Sequence, residues 1–207
     1  MQKIKNIIFD LGGVILNIDN QAVPDNIEKK GFDARQILGN QNVKRLLLDY
    51  ETGRVDTDSF RLSMKSLSGM TDLDDEEFDR IWCSILLDFP DDRIKTILNL
   101  RQEYRIFLLS NTNKLHYDRF SADFMSSYGL PFDSLFEHVF YSFEMGLAKP
   151  DKAIFASLLD TLAIDPKETL YIDDTPANTA VGAQLGIQTL TIEPNSGFGK
   201  LMLLLGK

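Results

Sequence analysis

The chain has 207 residues, 43% of them hydrophobic, and a net charge of −9 at pH 7, enough for one sizeable core with or without a smaller appended domain. The acidic balance, with no cluster of Lys and Arg, disfavours a nucleic-acid partner, and no apolar run approaches the roughly 18 residues that a membrane helix needs. The single cysteine, Cys83, excludes an internal disulfide, and no basic and apolar leader precedes the first apolar run, so we expect a reduced, cytoplasmic protein.

The first predicted element is an apolar strand over residues 4–9 that delivers Asp10 into a turn containing Gly12 and Gly13. A parallel strand would place a reactive carboxylate at this position. Taken alone, however, a strand that ends in Asp-Leu-Gly also describes an ordinary capped turn. The significance of Asp10 therefore depends on what the later elements bring beside it.

A long helical insertion follows, from residue 17 to residue 90, and it shows no convincing strand pattern. Helical patterns over 43–50, 58–67 and 76–87 are separated by polar and glycine-containing breaks. This insertion is predicted to be a separate helical cap domain, which leaves residues 1–16 and 91–207 for the core. Because it is rooted beside the first strand, it is well placed to act as a lid.

The rest of the chain alternates strand and helix patterns. Short apolar runs rich in β-branched residues predict strands near 105–109, 138–142, 169–172 and 187–192, and helical spacing predicts helices over 91–103, 151–163 and 175–185. Such alternation predicts an α/β fold with a doubly wound parallel sheet and helices on both faces. In that architecture, ligands bind beyond the carboxyl ends of the strands.

Three later segments place polar groups where Asp10 would meet them. Ser110 closes the second predicted strand, Asp173 and Asp174 close the fourth, and Lys149 lies in a loop before Pro150. Each alone is ordinary turn, loop or helix-cap chemistry. Together they predict an active site, because independent loops would otherwise have to place three carboxylates, a hydroxyl and an ammonium at one edge of one sheet.

These residues can support phosphoryl transfer. The Asp10 carboxylate can attack a phosphorus atom and form an acyl phosphate that water then cleaves. Because a carboxylate and a phosphate dianion repel each other, the site needs a divalent cation, and oxygen-only ligands suit Mg²⁺. We expect Asp10, Asp174 and the Gly12 carbonyl to hold the metal, with Asp173 orienting metal-bound water.

The remaining candidates would act on the transferred group. Lys149 would neutralise the phosphoryl oxygens and the nucleophile, and Ser110 and the backbone amides that follow it, beginning at Asn111, would donate hydrogen bonds to the substrate. Asn178, one helical turn after Asp174, could hold a further water. His116, His138 and Cys83 have no partner motif, and we expect each to be structural.

With these residues in this order, the chain resembles the haloacid dehalogenase-like (HAD) hydrolase superfamily over essentially its whole length. The four motifs of that superfamily match Phe9 to Val14, Ser110 to Asn113, Lys149, and Asp173 to Asn178, in that order. The resemblance implies a Rossmann-like core with a helical cap inserted after the first strand, and a magnesium-dependent hydrolase. The motif phrases look most like the bacterial sugar-phosphatase branch, typified by alpha-D-glucose-1-phosphate phosphatase.

The chain departs from most phosphatases of that superfamily at Gly12. They carry an aspartate there, two residues after the nucleophile, which protonates the leaving group and then activates water; such general acid and base help is worth about 10²–10⁴ in rate. Three interpretations fit a glycine: an enzyme for good leaving groups that takes its proton from water, Glu51 or Asp19; a vestigial catalyst retained for binding; or an enzyme for something other than phosphate esters. The resembling branch also has glycine there, which favours the first.

The leading prediction is a phosphatase for a small phosphorylated metabolite of the sugar-phosphate class, with no membrane partner. One alternative is a metal-independent 2-haloacid dehalogenase, although the paired charge of Asp173 and Asp174 is better explained by a cation. Another is a catalytically silent binding or regulatory protein. The apolar tail from Leu201 to Leu205 either closes the core or makes a subunit contact, so both monomer and homodimer remain open, with the core favoured.

Overall fold

The computed structural model describes residues 3–207. Five strands form its central sheet: β1 (Asn6–Phe9), β2 (Arg105–Ser110), β3 (His138–Tyr141), β4 (Thr169–Asp173) and β5 (Gln188–Thr191). Every neighbouring pair is parallel, and the spatial order is β3-β2-β1-β4-β5. The predicted parallel sheet is confirmed, and β1 lies at its centre between β2 and β4.

Helices fill the connections. Those between β1 and β2 are α1 (Ala22–Lys29), α2 (Ala34–Gly39), α3 (Gln41–Glu51), α4 (Thr57–Ser68), α5 (Asp75–Trp82) and α6 (Asp91–Leu100). Those after β2 are α7 (Lys114–Tyr128), α8 (Ser142–Met145), α9 (Lys152–Leu162), α10 (Pro176–Gln184) and α11 (Gly199–Leu205). Short 3-10 turns span Cys83–Ile85, Phe132–Leu135 and Pro166–Glu168.

Because both faces of the sheet are covered, the central residues of β1, β2 and β4 are apolar and buried. Successive side chains alternate between the faces: Ile7 and Phe9 pack in a cluster with side chains of α6, α7 and α11, whereas Ile8 packs in a second cluster with α9 and α10. A parallel sheet covered in this way is doubly wound, as predicted. Its strands end together at one edge, and that edge carries the site.

The helical insertion has a hydrophobic cluster of its own. Phe60, Met64 and Phe78 are buried in it, and the rings of Tyr50 and Phe60 stack with centroids 4.0 Å apart. Leu115, from the first turn of α7, also belongs to this cluster. The helices of the insertion therefore pack around one centre, and that centre extends to the core at α7.

One helix prediction differs from the structure, and one long helix was not predicted, in both cases for local reasons. The pattern over 76–87 ends as an α-helix at Trp82, because the chain then tightens into the 3-10 turn Cys83–Ile85. Helix α7 was not predicted: its buried side chains Leu115, Phe120 and Phe124 are spaced by five and then four residues, which blurs the helical period.

The apolar tail closes the core. Leu201 is fully buried in the cluster beneath α6 and α7, while Leu203, on the opposite face of α11, is 80% exposed. No helix within residues 3–207 has the length and apolar character to cross a membrane.

Candidate active site

The carboxyl ends of β1, β2 and β4 open into a cleft of about 470 Å³. The core contributes one wall of this cleft, and the helical insertion contributes the other through Ile18, Asn20 and Glu51. On the core side lie Asp10, Gly12, Asn111, Lys149, Asp174 and Asn178. The sheet edge predicted from the sequence is therefore the floor of a cleft.

Lys149 joins the polar groups at the floor. Its Nζ lies 2.7 Å from Asp10 Oδ1 and 2.9 Å from Asp173 Oδ2, and it donates a third hydrogen bond to the Leu109 carbonyl at 3.0 Å. Its side chain and that of Asp173 are almost completely buried. The ammonium has three donors and here uses all of them, so its position is set on three sides.

Asn111 holds the backbone of Lys149. The Asn111 Oδ1 accepts from Lys149 N at 2.8 Å, and the Asn111 Nδ2 donates to Lys149 O at 2.9 Å. The side chain of Asn111 thus bonds both backbone polar groups of Lys149, as a neighbouring β-strand would, although Lys149 lies in a loop. This pairing explains how an ammonium from outside the strands reaches the sheet edge.

Asp173 is the most heavily hydrogen-bonded carboxylate of the site. Besides Lys149, it accepts from Thr175 N at 2.7 Å, from Asn178 Nδ2 at 3.1 and 3.0 Å, and from the Tyr171 hydroxyl. Burial alone would raise its pKa, but Lys149 and the hydrogen bonds of Tyr171 outweigh burial and hold the pKa below its ordinary value. Asp173 therefore stays ionised and anchors Lys149.

Asp10 has fewer compensating contacts. Burial raises its pKa to about 7, with Lys149 opposing the rise and the charge of Asp173 adding to it. Burial also acts to lower the pKa of Lys149, but Asp10 and Asp173 outweigh it, and that pKa lies above its ordinary value. The ammonium is shared between two buried carboxylates, and Asp10 is the less stabilised of the two.

The donor set fits a magnesium ion. One oxygen each from Asp10, Asp173 and Asp174 lies within 4.8 Å of the other two. When all are ionised, these three carboxylates exceed the one ammonium by two negative charges, which a divalent cation would balance. Because Asp173 is already saturated with donors, Asp10 and Asp174 are the carboxylates with oxygens to offer.

The surroundings of Asp174 also suit a metal ligand. Asp174 Oδ1 accepts a hydrogen bond from the Thr175 hydroxyl at 3.2 Å, and burial and the charge of Asp173 raise the pKa of Asp174. Gly13 has φ +72°, and a Cβ there would lie 2.4 Å from Asp174 Oδ2. The glycine after Gly12 is therefore required for Asp174 to approach the turn that follows Asp10.

The other predicted residues lie in or near the site. Ser110 is buried at the end of β2, with its Oγ 3.4 Å from the Asn111 carbonyl, while Asn178 binds Asp173 directly. His116 lies away from the cleft, between Asn113 and the Trp82 carbonyl, and burial lowers its pKa to about 4. Cys83 is buried, and burial raises its pKa to about 12.

Sequence reasoning missed Tyr171 as part of this network. A signal existed, since Tyr171 and Asp173 are two residues apart on β4 and must share a face of the sheet. It did propose Glu51 and Asp19 as proton sources without a location for either. The structure separates them: Glu51 lines the cleft, whereas Asp19 is exposed and its Oδ1 accepts from Gln21 N at 2.9 Å at the start of α1.

Comparison with known proteins identifies the class. A family model described as haloacid dehalogenase-like hydrolase matches residues 4–186. The chain belongs to this hydrolase family, which confirms the resemblance found in its four motifs.

Three individual proteins of known structure or activity are similar to this chain over nearly its whole length. The chain is 32% identical, over 195 residues, to a D-ribitol-5-phosphate phosphatase of Bacteroides thetaiotaomicron; the match covers 94% of this chain and 93% of that protein. A HAD family enzyme of the same organism, solved with magnesium and inorganic phosphate, is 33% identical with a TM-score of 0.88, covering 96% of this chain and 98% of that one. A HAD-like family hydrolase from Porphyromonas gingivalis is 32% identical with a TM-score of 0.87, covering 99% and 98%.

Proposed function

We propose that this protein is a magnesium-dependent phosphatase that hydrolyses a small phosphorylated polyol or sugar by way of an aspartyl-phosphate on Asp10. The observation that carries the proposal is the position of Lys149, whose Nζ lies 2.7 Å from Asp10 and 2.9 Å from Asp173 on the floor of the cleft. This arrangement keeps a carboxylate nucleophile and a cation together where a phosphoryl group would enter.

Each core residue has a role in the proposed reaction. Asp10 attacks the phosphorus atom, and Lys149 offsets the charge of the phosphoryl oxygens and of Asp10. Asp173 holds Lys149, and Asn111 holds its backbone. Ser110 and the amides that follow it donate to the transferred group.

Asp10, Asp174 and the Gly12 carbonyl would hold the magnesium ion. When bound, the ion supplies the positive charge that lets an anionic nucleophile approach an anionic phosphate. The excess of two negative charges in the carboxylate cluster and the freedom of the Asp174 oxygens support this assignment.

Two observations support the proposed substrate class: the similarity to the ribitol-phosphate phosphatase and the size and lining of the cleft. A volume of about 470 Å³ suits a small metabolite. Polar side chains line both walls, Asn20 and Glu51 from the insertion and Asn111 and Asn178 from the core. Hydroxyl groups of a polyol or sugar would find hydrogen-bond partners there.

The test is phosphate release from D-ribitol 5-phosphate, alpha-D-glucose 1-phosphate and related esters, with magnesium and with EDTA. We expect turnover only with magnesium, and at least a 10³-fold loss of kcat in Asp10→Asn, because the amide cannot form the acyl phosphate. The matched control is Asp160→Asn, an exposed aspartate on α9, which should retain wild-type activity.

Two outcomes would contradict the proposal. One is full activity in Asp10→Asn. The other is halide release from a 2-haloacid without metal, in the absence of any phosphatase activity, which would favour the dehalogenase alternative.

A further inference from the structure

The position two residues after the nucleophile offers no proton donor. A Cβ built on Gly12 would lie in van der Waals contact with Ile18, 3.5 and 3.6 Å from its Cδ1 and Cγ2, so the neighbour of this position in the cleft is an apolar side chain. Ile18 is held there by Asn195, whose amide donates to Ile18 O at 3.0 Å and whose Oδ1 accepts from Ile18 N at 3.1 Å. A proton for the leaving group must therefore come from elsewhere in the cleft.

The direction of attack limits where that donor can be. In phosphoryl transfer the attacking and leaving oxygens are roughly in line through the phosphorus atom. Asp10 attacks from the core side, so the leaving oxygen faces the wall formed by the helical insertion. That wall consists of Ile18, Asn20 and Glu51, and Glu51 has the one titratable side chain among the three.

The state of Glu51 suits a donor. Its carboxyl forms no hydrogen bond or ion pair with another residue in the described range 3–207, although it is partly buried at the end of α3. Burial raises its pKa above the ordinary value, with no nearby cation to oppose the rise. A carboxyl in that condition keeps its proton at higher pH than an exposed glutamate.

Two contacts with the core place Glu51 over the cleft. On one side of it, the Tyr50 hydroxyl accepts a hydrogen bond from Leu115 N at 3.0 Å. On the other side, Gly53 is so close to α8 that a Cβ would lie 2.0 Å from the Phe143 carbonyl oxygen. The turn that carries Glu51 is thus attached to the core at both ends, as a catalytic side chain requires.

We propose that Glu51 is the general acid and base of this site, an inference that rests on the phosphatase function proposed above. As Asp10 attacks, the bond from phosphorus to the leaving oxygen breaks, the electron pair stays on that oxygen, and Glu51 gives it a proton. Glu51, now a carboxylate, takes a proton from the water that attacks the aspartyl-phosphate. The bond from phosphorus to Asp10 then breaks, which releases phosphate and restores both Asp10 and protonated Glu51.

The experiment compares leaving groups in the Glu51→Gln variant. Phenyl phosphate and 4-nitrophenyl phosphate have nearly the same shape and no hydroxyl to recognise, but phenolate needs a proton far more than 4-nitrophenolate does. We expect kcat/KM to fall about 10²-fold or more for phenyl phosphate and less than about 10-fold for 4-nitrophenyl phosphate. Slower hydrolysis of the aspartyl-phosphate should also produce a burst of 4-nitrophenol.

The ratio of the two kcat/KM values is independent of how much of the variant is correctly folded, because an inactive fraction divides out. Asp19→Asn is the matched control, since that side chain lies outside the cleft, and it should keep the wild-type ratio. An unchanged ratio in Glu51→Gln, or an effect confined to KM for polyol phosphates, would overturn the role of Glu51. A wild-type protein that hydrolyses no phosphate ester would overturn the phosphatase function, and this inference with it.

Discussion

At the residue scale, the site depends on one buried ammonium between two buried carboxylates. Removing one member of such a group leaves charges without compensation, which costs more than the intact group contributes. Lys149 is the central member, since Asp10 and Asp173 both bind its Nζ. The same residue thus matters for stability and for the proposed chemistry.

We therefore expect Lys149→Met to lower the free energy of unfolding by about 3–5 kcal/mol in EDTA and to reduce kcat by about 10³-fold. The pKa of Asp10, already about 7 through burial, should rise further, because Lys149 lowers it. Denaturant unfolding and phosphate release measure the two effects.

Lys152→Met is the matched control, because Lys152 is exposed in the first turn of α9, three residues away. It should change the free energy of unfolding by less than about 0.5 kcal/mol. A Lys149→Met protein as stable and as active as this control would show that the buried ammonium is dispensable.

At the element scale, α11 shows how a short apolar segment is divided between core and solvent. The segment Leu201 to Leu205 is almost uniformly apolar, so its sequence does not reveal which leucine is buried. The helix turns Leu201 into the core cluster and leaves Leu203 in solvent, 80% exposed. The loss of unfolding free energy on truncating each leucine to alanine should therefore be large at Leu201 and small at Leu203.

Leu201→Ala should lower the free energy of unfolding by about 2–5 kcal/mol, through lost transfer energy and the cavity left behind. Leu203→Ala, the same change two residues along, should cost less than about 0.5 kcal/mol. Urea unfolding of the two variants at matched concentration gives both values. A large effect at Leu203 instead would indicate that α11 is covered by a second subunit.

At the scale of the whole molecule, the helical insertion packs against the core through the turn that carries Glu51. Gly53 has φ +66° and lies against the Phe143 carbonyl. Gly69 has a similar φ, +76°, but a Cβ there would meet nothing within 4 Å. Substituting each glycine therefore distinguishes two effects. At Gly69 the added Cβ only strains a left-handed backbone, whereas at Gly53 it also displaces the insertion from the core.

Gly69→Ala should cost about 1 kcal/mol of stability through its backbone conformation and leave activity unchanged. Gly53→Ala should cost more and should lower kcat/KM for phenyl phosphate by about 10²-fold, because a shift of about 1 Å in a catalytic group has that effect. Thermal unfolding and the aryl phosphate assay test both. Equal effects from the two substitutions would mean that the contact with Phe143 does not position the insertion.

Much of the fold could be predicted because local patterns reflect it directly. Both faces of the sheet are covered, so its three central strands contain apolar runs, and each functional group of the core follows such a run or a glycine-containing loop. The first and last residues of the helices were harder to predict from the sequence. Helix α7 has an irregular spacing of buried residues, and the end of α5 depends on the 3-10 turn after Trp82.

The sequence by itself determined the parallel sheet, the helical insertion and the candidates Asp10, Ser110, Lys149, Asp173 and Asp174, because these follow from short-range order and from the edge at which parallel strands end. Only the tertiary structure decided that Asn111 braces Lys149 and that Glu51 rather than Asp19 reaches the cleft. Those relations join residues from separate elements. The spacing along the chain carries no record of such distances.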